Sequence, residues 1–127
     1  MGYMVCDSSV KDAMMLVRLP YHLSALTQAA ASVALDFKDE LLGYVSELIR
    51  AREAMNAQLL ALGLTVVPSS ANFILFTGFS TEAPKLWSEL LGKGVLIRDV
   101  GLPGYLRVTI GNEAENTLFI NALKELI

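Results

Sequence analysis

Apolar residues recur along this chain with two periods, and the change from one to the other sets out its elements. Between Phe37 and Leu62 the spacing is helical. Leu41, Val45, Leu48, Met55, Leu59 and Leu62 return on one side, while Glu40, Glu47, Arg50 and Glu53 take much of the rest. Gly63 supplies a C-cap. Beyond it the helical spacing gives way to short, strand-like apolar runs. Leu64 to Val67 and Asn72 to Thr77 read as strands on either side of Pro68-Ser69-Ser70. Ser80-Thr81 is expected to cap a helix to about Leu91, with Pro84 in its first turn and Trp87, Leu90 and Leu91 directed to the core. Val95 to Ile97 and Tyr105 to Ile110 are two further strand-like runs, punctuated by Gly101, Pro103 and Gly104. Asn112 then caps a last helix reaching Leu126, with Glu113 and Glu115 near its positive end.

The N-terminal third is organised differently. Gly2 to Cys6 reads as a short buried strand, Asp7-Ser8-Ser9 offers an N-cap, and Val10 to Leu19 is helical until Pro20 stops it. A strand at that position needs a neighbour to satisfy its backbone groups, and nothing adjacent in sequence offers a hairpin partner. Ser24 caps a second helix, Ala25 to Leu35, whose small residues all round imply tight packing against another helix. The expected order is therefore (β-α)-α-α-β-β-α-β-β-α. Strands grouped with helices between them predict an α+β fold, a small and mostly antiparallel sheet covered by helices on one face.

With 127 residues the chain suits one domain, and 54% of it is hydrophobic. Its mean hydropathy of +0.48 is high for a soluble domain, which implies apolar surface meant to be covered by a partner subunit or by more of a longer chain. No run approaches a membrane span, and the start lacks the basic residues of a signal peptide. A net charge of −3, with no cluster of Lys or Arg, disfavours nucleic-acid and anionic-membrane partners. One cysteine, Cys6, permits no internal disulfide and fits a reducing, cytoplasmic compartment. One histidine, His22, cannot form a multi-histidine metal site and reads as a packing or hydrogen-bonding residue.

Candidate chemistry concentrates in the two runs that each carry an arginine. Alternation sets Leu106, Val108 and Ile110 on one face and Tyr105, Arg107 and Thr109 on the other. A guanidinium grips a carboxylate or phosphate through two parallel hydrogen bonds, so Arg98 and Arg107 on neighbouring strands are placed to converge on one anion. The alternative is that each pairs with a nearby carboxylate, Asp99 for instance, or lies solvated at the surface. Asn72, at the entrance of an otherwise apolar strand, reads either as a turn residue satisfying backbone groups or as a polar group facing a cleft.

The phrase Gly-Val-Leu-Ile-Arg-Asp-Val from Gly94, the glycine- and proline-containing turn, and Tyr-Leu-Arg-Val-Thr-Ile-Gly from Tyr105 resemble the C-terminal part of histidinol-phosphate aminotransferases. These are pyridoxal-phosphate (PLP) enzymes of the aspartate aminotransferase fold. Pro20-Tyr21-His22-Leu23-Ser24 and Ser70-Ala71-Asn72-Phe73 fit the same branch in the same order, so the resemblance covers essentially the whole chain. It implies that residues 1–19 are the tail end of a large, cofactor-binding domain and residues 20–127 the small C-terminal domain. Arg107 is then the arginine that receives the substrate's acidic group, here a phosphate, helped by Arg98; Tyr21 and Asn72 match positions near the cleft.

The family's Schiff-base lysine lies upstream of the Gly-Tyr strand, and its Ser-x-x-x-x-Lys phrase does not occur here. Lys11, Lys38, Lys85, Lys93 and Lys124 all fall in helical or exposed contexts. The resemblance therefore implies a fragment that binds substrate anion, binds no PLP alone and is inactive by itself, while the apolar share and the unpaired N-terminal strand predict a homodimer. Three alternatives stay open. One is a fragment of another aminotransferase, for aromatic amino acids. The second is a free-standing module that holds a small phosphorylated or carboxylated molecule, which a start methionine directly before Gly2 permits. The third is one chain of a split enzyme.

Overall fold

A helix of 24 residues, α3 (Lys38–Ala61), links the two compact units into which the chain divides, Met1–Leu42 and Gly43–Ile127. The computed structural model describes residues 2, 4–19 and 23–127. In the first unit, α1 (Ser8–Val17) and α2 (Ala25–Asp36) start where their caps place them. The Asp7 carboxylate accepts from the backbone N–H of Ser9, and the Ser24 hydroxyl from that of Thr27. Hydrogen bonds from the Ser9 hydroxyl and backbone hold the Asp7 carboxyl below its ordinary value. Neither helix has a buried residue, so the small side chains of α2 do not find the tight helix packing their composition implies.

The expected strand at Gly2 to Cys6 is not formed among its described residues, 2 and 4–6. The reason is the one that made it precarious: the sheet formed among the described residues takes in no strand from this segment, and a lone strand leaves its backbone groups unpaired.

The second unit holds the core. Four strands, β1 (Thr65–Val66), β2 (Phe73–Thr77), β3 (Arg98–Asp99) and β4 (Leu106–Thr109), form one sheet in the order β1-β2-β4-β3, every neighbouring pair antiparallel. Met55 and Leu59 of α3 bury against one sheet face together with Ala83, Leu86 and Leu90 of α4 (Ala83–Gly92). Phe119, Ile120, Ala122 and Leu123 of α5 (Glu113–Lys124) complete that layer. From the sheet, Ile74, Phe76, Leu106 and Val108 meet them, and Phe76 sits edge-on to Phe79 and Phe119 with ring centroids 5.9 Å apart. An antiparallel sheet with helices on one face is the α+β arrangement the pattern predicts.

Two boundaries fall away from their expected places. Helix α4 begins at Ala83 with Glu82 as N-cap and no side-chain cap bond, rather than from Ser80-Thr81; Pro84, which lacks an N–H, is accommodated only at the very start of the helix. The run Val95 to Ile97 keeps a strand's alternation, with Val95 and Ile97 buried and Leu96 75% exposed, yet pairing starts only at Arg98. Its backbone is engaged by α4 instead. The Val95 N–H donates to the Leu90 carbonyl (3.0 Å), and the Trp87 indole donates to the Ile97 carbonyl (2.8 Å).

Candidate anion-binding site

The register of the short pair β3–β4 sets Arg98 directly opposite Arg107, and that of β2–β4 sets Leu75 opposite Arg107 on its other flank. Residues paired this way project from the same face with Cβ atoms roughly 4.5–5.5 Å apart. Both guanidinium stems therefore rise from the face that the helices leave uncovered. Arg107 is half-buried and Arg98 exposed.

The turn between the strands fixes this register. Gly101 and Gly104 take φ values of +72° and +77°, a left-handed conformation that glycine adopts without cost. The Asp99 carboxylate accepts from the Gly101 N–H (2.8 Å), and the Thr77 hydroxyl of β2 donates to the Gly104 carbonyl (2.6 Å). Asp99 is thus occupied by the turn and, one residue along the strand, faces away from Arg98. Neither arginine forms an ion pair among the described residues; the four pairs present are Lys11–Asp12, Lys38–Asp39, Lys85–Glu89 and Lys93–Glu125. Of the two readings open for these arginines, pairing with Asp99 does not occur.

Arg107 has one close side-chain neighbour of note. Its Cζ lies 4.7 Å from the centroid of the Phe73 ring, and its Nε is buried without an acceptor. Phe73 in turn follows a loop held from three directions. The Ser69 hydroxyl donates to the Phe73 carbonyl (2.7 Å) and accepts from the Ala71 N–H (3.1 Å), while Arg52 Nη1 of α3 donates to the Ala71 carbonyl (2.9 Å). Sequence reasoning missed Phe73, Arg52 and the Trp87 indole bond, because each partner lies 10 to 34 residues away along the chain. The alternation of β2 and β4 carried a usable signal for Phe73, since it places that residue on the Arg107 face.

Asn72 is exposed at the head of β2, and its carbonyl accepts from the Ile110 N–H (2.9 Å). It stands three residues from Leu75, the residue opposite Arg107, which is roughly 10 Å along an extended strand. The sheet brings Arg98 and Arg107 together and does not bring Asn72 beside them. Tyr21, the remaining candidate, and His22 lie outside the described residues.

The five lysines are exposed, and four of them pair with carboxylates, so none occupies the dry, shielded setting of a Schiff-base lysine. These residues do not fit the covalent anchor of PLP. An anion is what two arginines set opposite one another in register on this face are suited to recognise.

The sequence that builds this sheet and its covering helices matches a known class of protein. The family described as aminotransferase class I and II matches residues 1–123, and the chain belongs to it. It is similar to the histidinol-phosphate aminotransferase of Mycolicibacterium smegmatis (strain ATCC 700084 / mc(2)155), 56% identical over 126 residues, which covers 99% of this chain and 33% of that protein. The corresponding protein of Nocardia farcinica (strain IFM 10152) is 53% identical over 126 residues, with 99% and 32% covered. The chain thus spans about a third of the length of these curated relatives. Among solved structures, L-threonine-O-3-phosphate decarboxylase from Porphyromonas gingivalis superposes with a TM-score of 0.81 at 26% identity, covering 96% of this chain and 40% of that one. The histidinol-phosphate aminotransferase of Clostridium acetobutylicum gives 0.82 at 23% identity, covering 94% and 38%, and shares the fold.

Proposed function

We propose that this chain is the substrate-anion-binding part of a PLP-dependent histidinol-phosphate aminotransferase, acting in histidine biosynthesis. Arg98 and Arg107 carry the reading: two permanently charged groups, opposite one another in register and paired with no carboxylate among the described residues, match a phosphate monoester bearing nearly two negative charges. Identity of 48–56% to enzymes of that name supports the substrate, and the phosphorylated substrate named for the Porphyromonas gingivalis decarboxylase agrees with the same anion chemistry. PLP supplies the amino-transfer chemistry itself, from a part of the enzyme that the lysines here do not represent. The residues of this chain bind and orient. Held at its phosphate, the substrate presents its amine in a fixed position, and that positioning lowers the entropic part of the barrier. On this reading residues 1–19 close the large cofactor domain, residues 20–127 form the small domain, and the setting is cytoplasmic.

The test is a chimera in which this chain replaces the corresponding third of the Mycolicibacterium smegmatis enzyme. Transamination of histidinol phosphate with 2-oxoglutarate is expected, because 56% identity preserves the packing surfaces. Arg107→Lys should then lower kcat/KM by roughly 10- to 150-fold, equivalent to about 1.5–3 kcal/mol for a charged hydrogen bond that an ammonium cannot reproduce. A chimera that transaminates aromatic amino acids and ignores histidinol phosphate would overturn the substrate. Unchanged kcat/KM in the Lys variant would remove Arg107 from the site.

A further inference from the structure

The guanidinium of Arg107 is a long way from ordinary surface arginines in one respect: among the described residues, no acceptor takes a hydrogen bond from it. Its Nε is buried with no partner, and no carboxylate forms an ion pair with it among the described residues. An arginine at a ligand site usually owes its orientation to a neighbouring carboxylate or carbonyl, which consumes donors and, if ionised, cancels charge. Neither happens here. The neighbour that does define its place is an aromatic ring, that of Phe73, 4.7 Å from Cζ.

The sheet explains why the two meet. Arg107 is opposite Leu75 and Phe73 is opposite Thr109, so Phe73 and Arg107 share one face as diagonal neighbours, within reach of an aromatic and a long side chain. Phe73 is half-buried, and the loop before it is tied down by Ser69 and Arg52. Its π-face attracts a cation through the ring quadrupole and screens one flank of the guanidinium from water.

We propose that Phe73 is a positioning residue for anion binding: it holds the Arg107 guanidinium by a cation–π contact that leaves the charge whole and the outer donors free for the ligand. The proposal rests on the reading of Arg98 and Arg107 as the anion site and adds the residue that preorganises it. Phe73 shortens the search that a mobile arginine would make before closing on an oxyanion, which is a saving in ordering entropy at binding. Phe73→Tyr keeps the π-face, whereas Phe73→Leu keeps only bulk.

Titration of the 127-residue chain with inorganic phosphate, followed by NMR at the side-chain Nε–Hε signals of Arg98 and Arg107, separates the possibilities. Phosphate should move both signals in the wild-type chain. In Phe73→Leu the Arg107 signal should lose its ring-current displacement and the phosphate midpoint should rise roughly three- to tenfold, while Phe73→Tyr stays within about twofold of wild type. Thermal unfolding without phosphate, measured alongside, reports any purely structural role. A lower melting temperature in Phe73→Leu with an unchanged phosphate midpoint would overturn the positioning role and leave the anion site standing. Loss of binding in Phe73→Tyr equal to that in Phe73→Leu would overturn it too, since the π-face would then be irrelevant. If phosphate moves neither arginine in the wild-type chain, the anion site itself falls, and the role of Phe73 with it.

Discussion

Arg107 and Gly111 stand four residues apart, one on the open face of the sheet and one where the chain leaves it for α5. Gly111 is clamped by a single side chain: Asn116 Oδ1 accepts from its N–H and Asn116 Nδ2 donates to its carbonyl, both at 2.9 Å. A Cβ at Gly111 would collide with the Glu115 carboxylate, which is itself held by the Asn112 N–H at 2.8 Å. Gly111→Ala should therefore destabilise the chain by about 1–3 kcal/mol through overpacking, read as a lower urea midpoint. In a Glu115→Gly background the same change should cost much less, because the Glu115 atoms that collide, Cβ included, are gone; equal cost in both backgrounds would show that the clash is not the cause. The arginines were legible in sequence because alternation alone decides which face a strand residue takes. The Gly111–Asn116–Glu115 arrangement was legible only as far as its cap, and the Phe73–Arg107 contact joins residues 34 positions apart that only the strand register brings together.

At the scale of elements, local chemistry governed the helices and long-range pairing governed the strands. Asp7, Ser24 and Asn112 cap the helices expected of them, since a cap needs only the few residues that follow it. Asn112 and Glu115 form a full reciprocal capping box on α5. Asn112→Ala should lower stability by about 1 kcal/mol, and Asn112→Ser or Asn112→Asp should recover most of it; denaturant unfolding monitored at Trp87 measures both. An alanine variant as stable as wild type would mean that α5 is fixed by its buried residues alone. Strand boundaries were harder to read. Val95 to Ile97 has the composition of a strand, yet its backbone bonds go to Leu90 and Trp87. The described residues of the Gly2 to Cys6 run join no sheet, because pairing depends on the rest of the fold and not on those residues.

At the scale of the molecule, the apolar excess visible in the composition has an address. The core residues all fall between Met55 and Leu123, whereas α1 and α2 bury nothing. Val10, Met14, Met15, Leu16 and Val17 on α1, and Leu26, Val33 and Leu35 on α2, are 46–87% exposed. Curated relatives are about three times as long, so in them further chain is available to cover such surfaces. The 127-residue chain is expected to self-associate through these helices. Apolar area returned to water costs about 25 cal/mol per Å², and two copies of one patch related by a two-fold axis can each cover the other. Sedimentation should give a mass that rises with concentration from 13.8 kDa toward twice that value. Leu16→Glu combined with Leu26→Glu should return it to 13.8 kDa while leaving the unfolding of the Gly43–Ile127 unit unchanged, because neither leucine belongs to that core. A wild-type chain that stays at 13.8 kDa throughout would refute pairing through these helices. Association that survives both glutamates would place the contact elsewhere on the molecule.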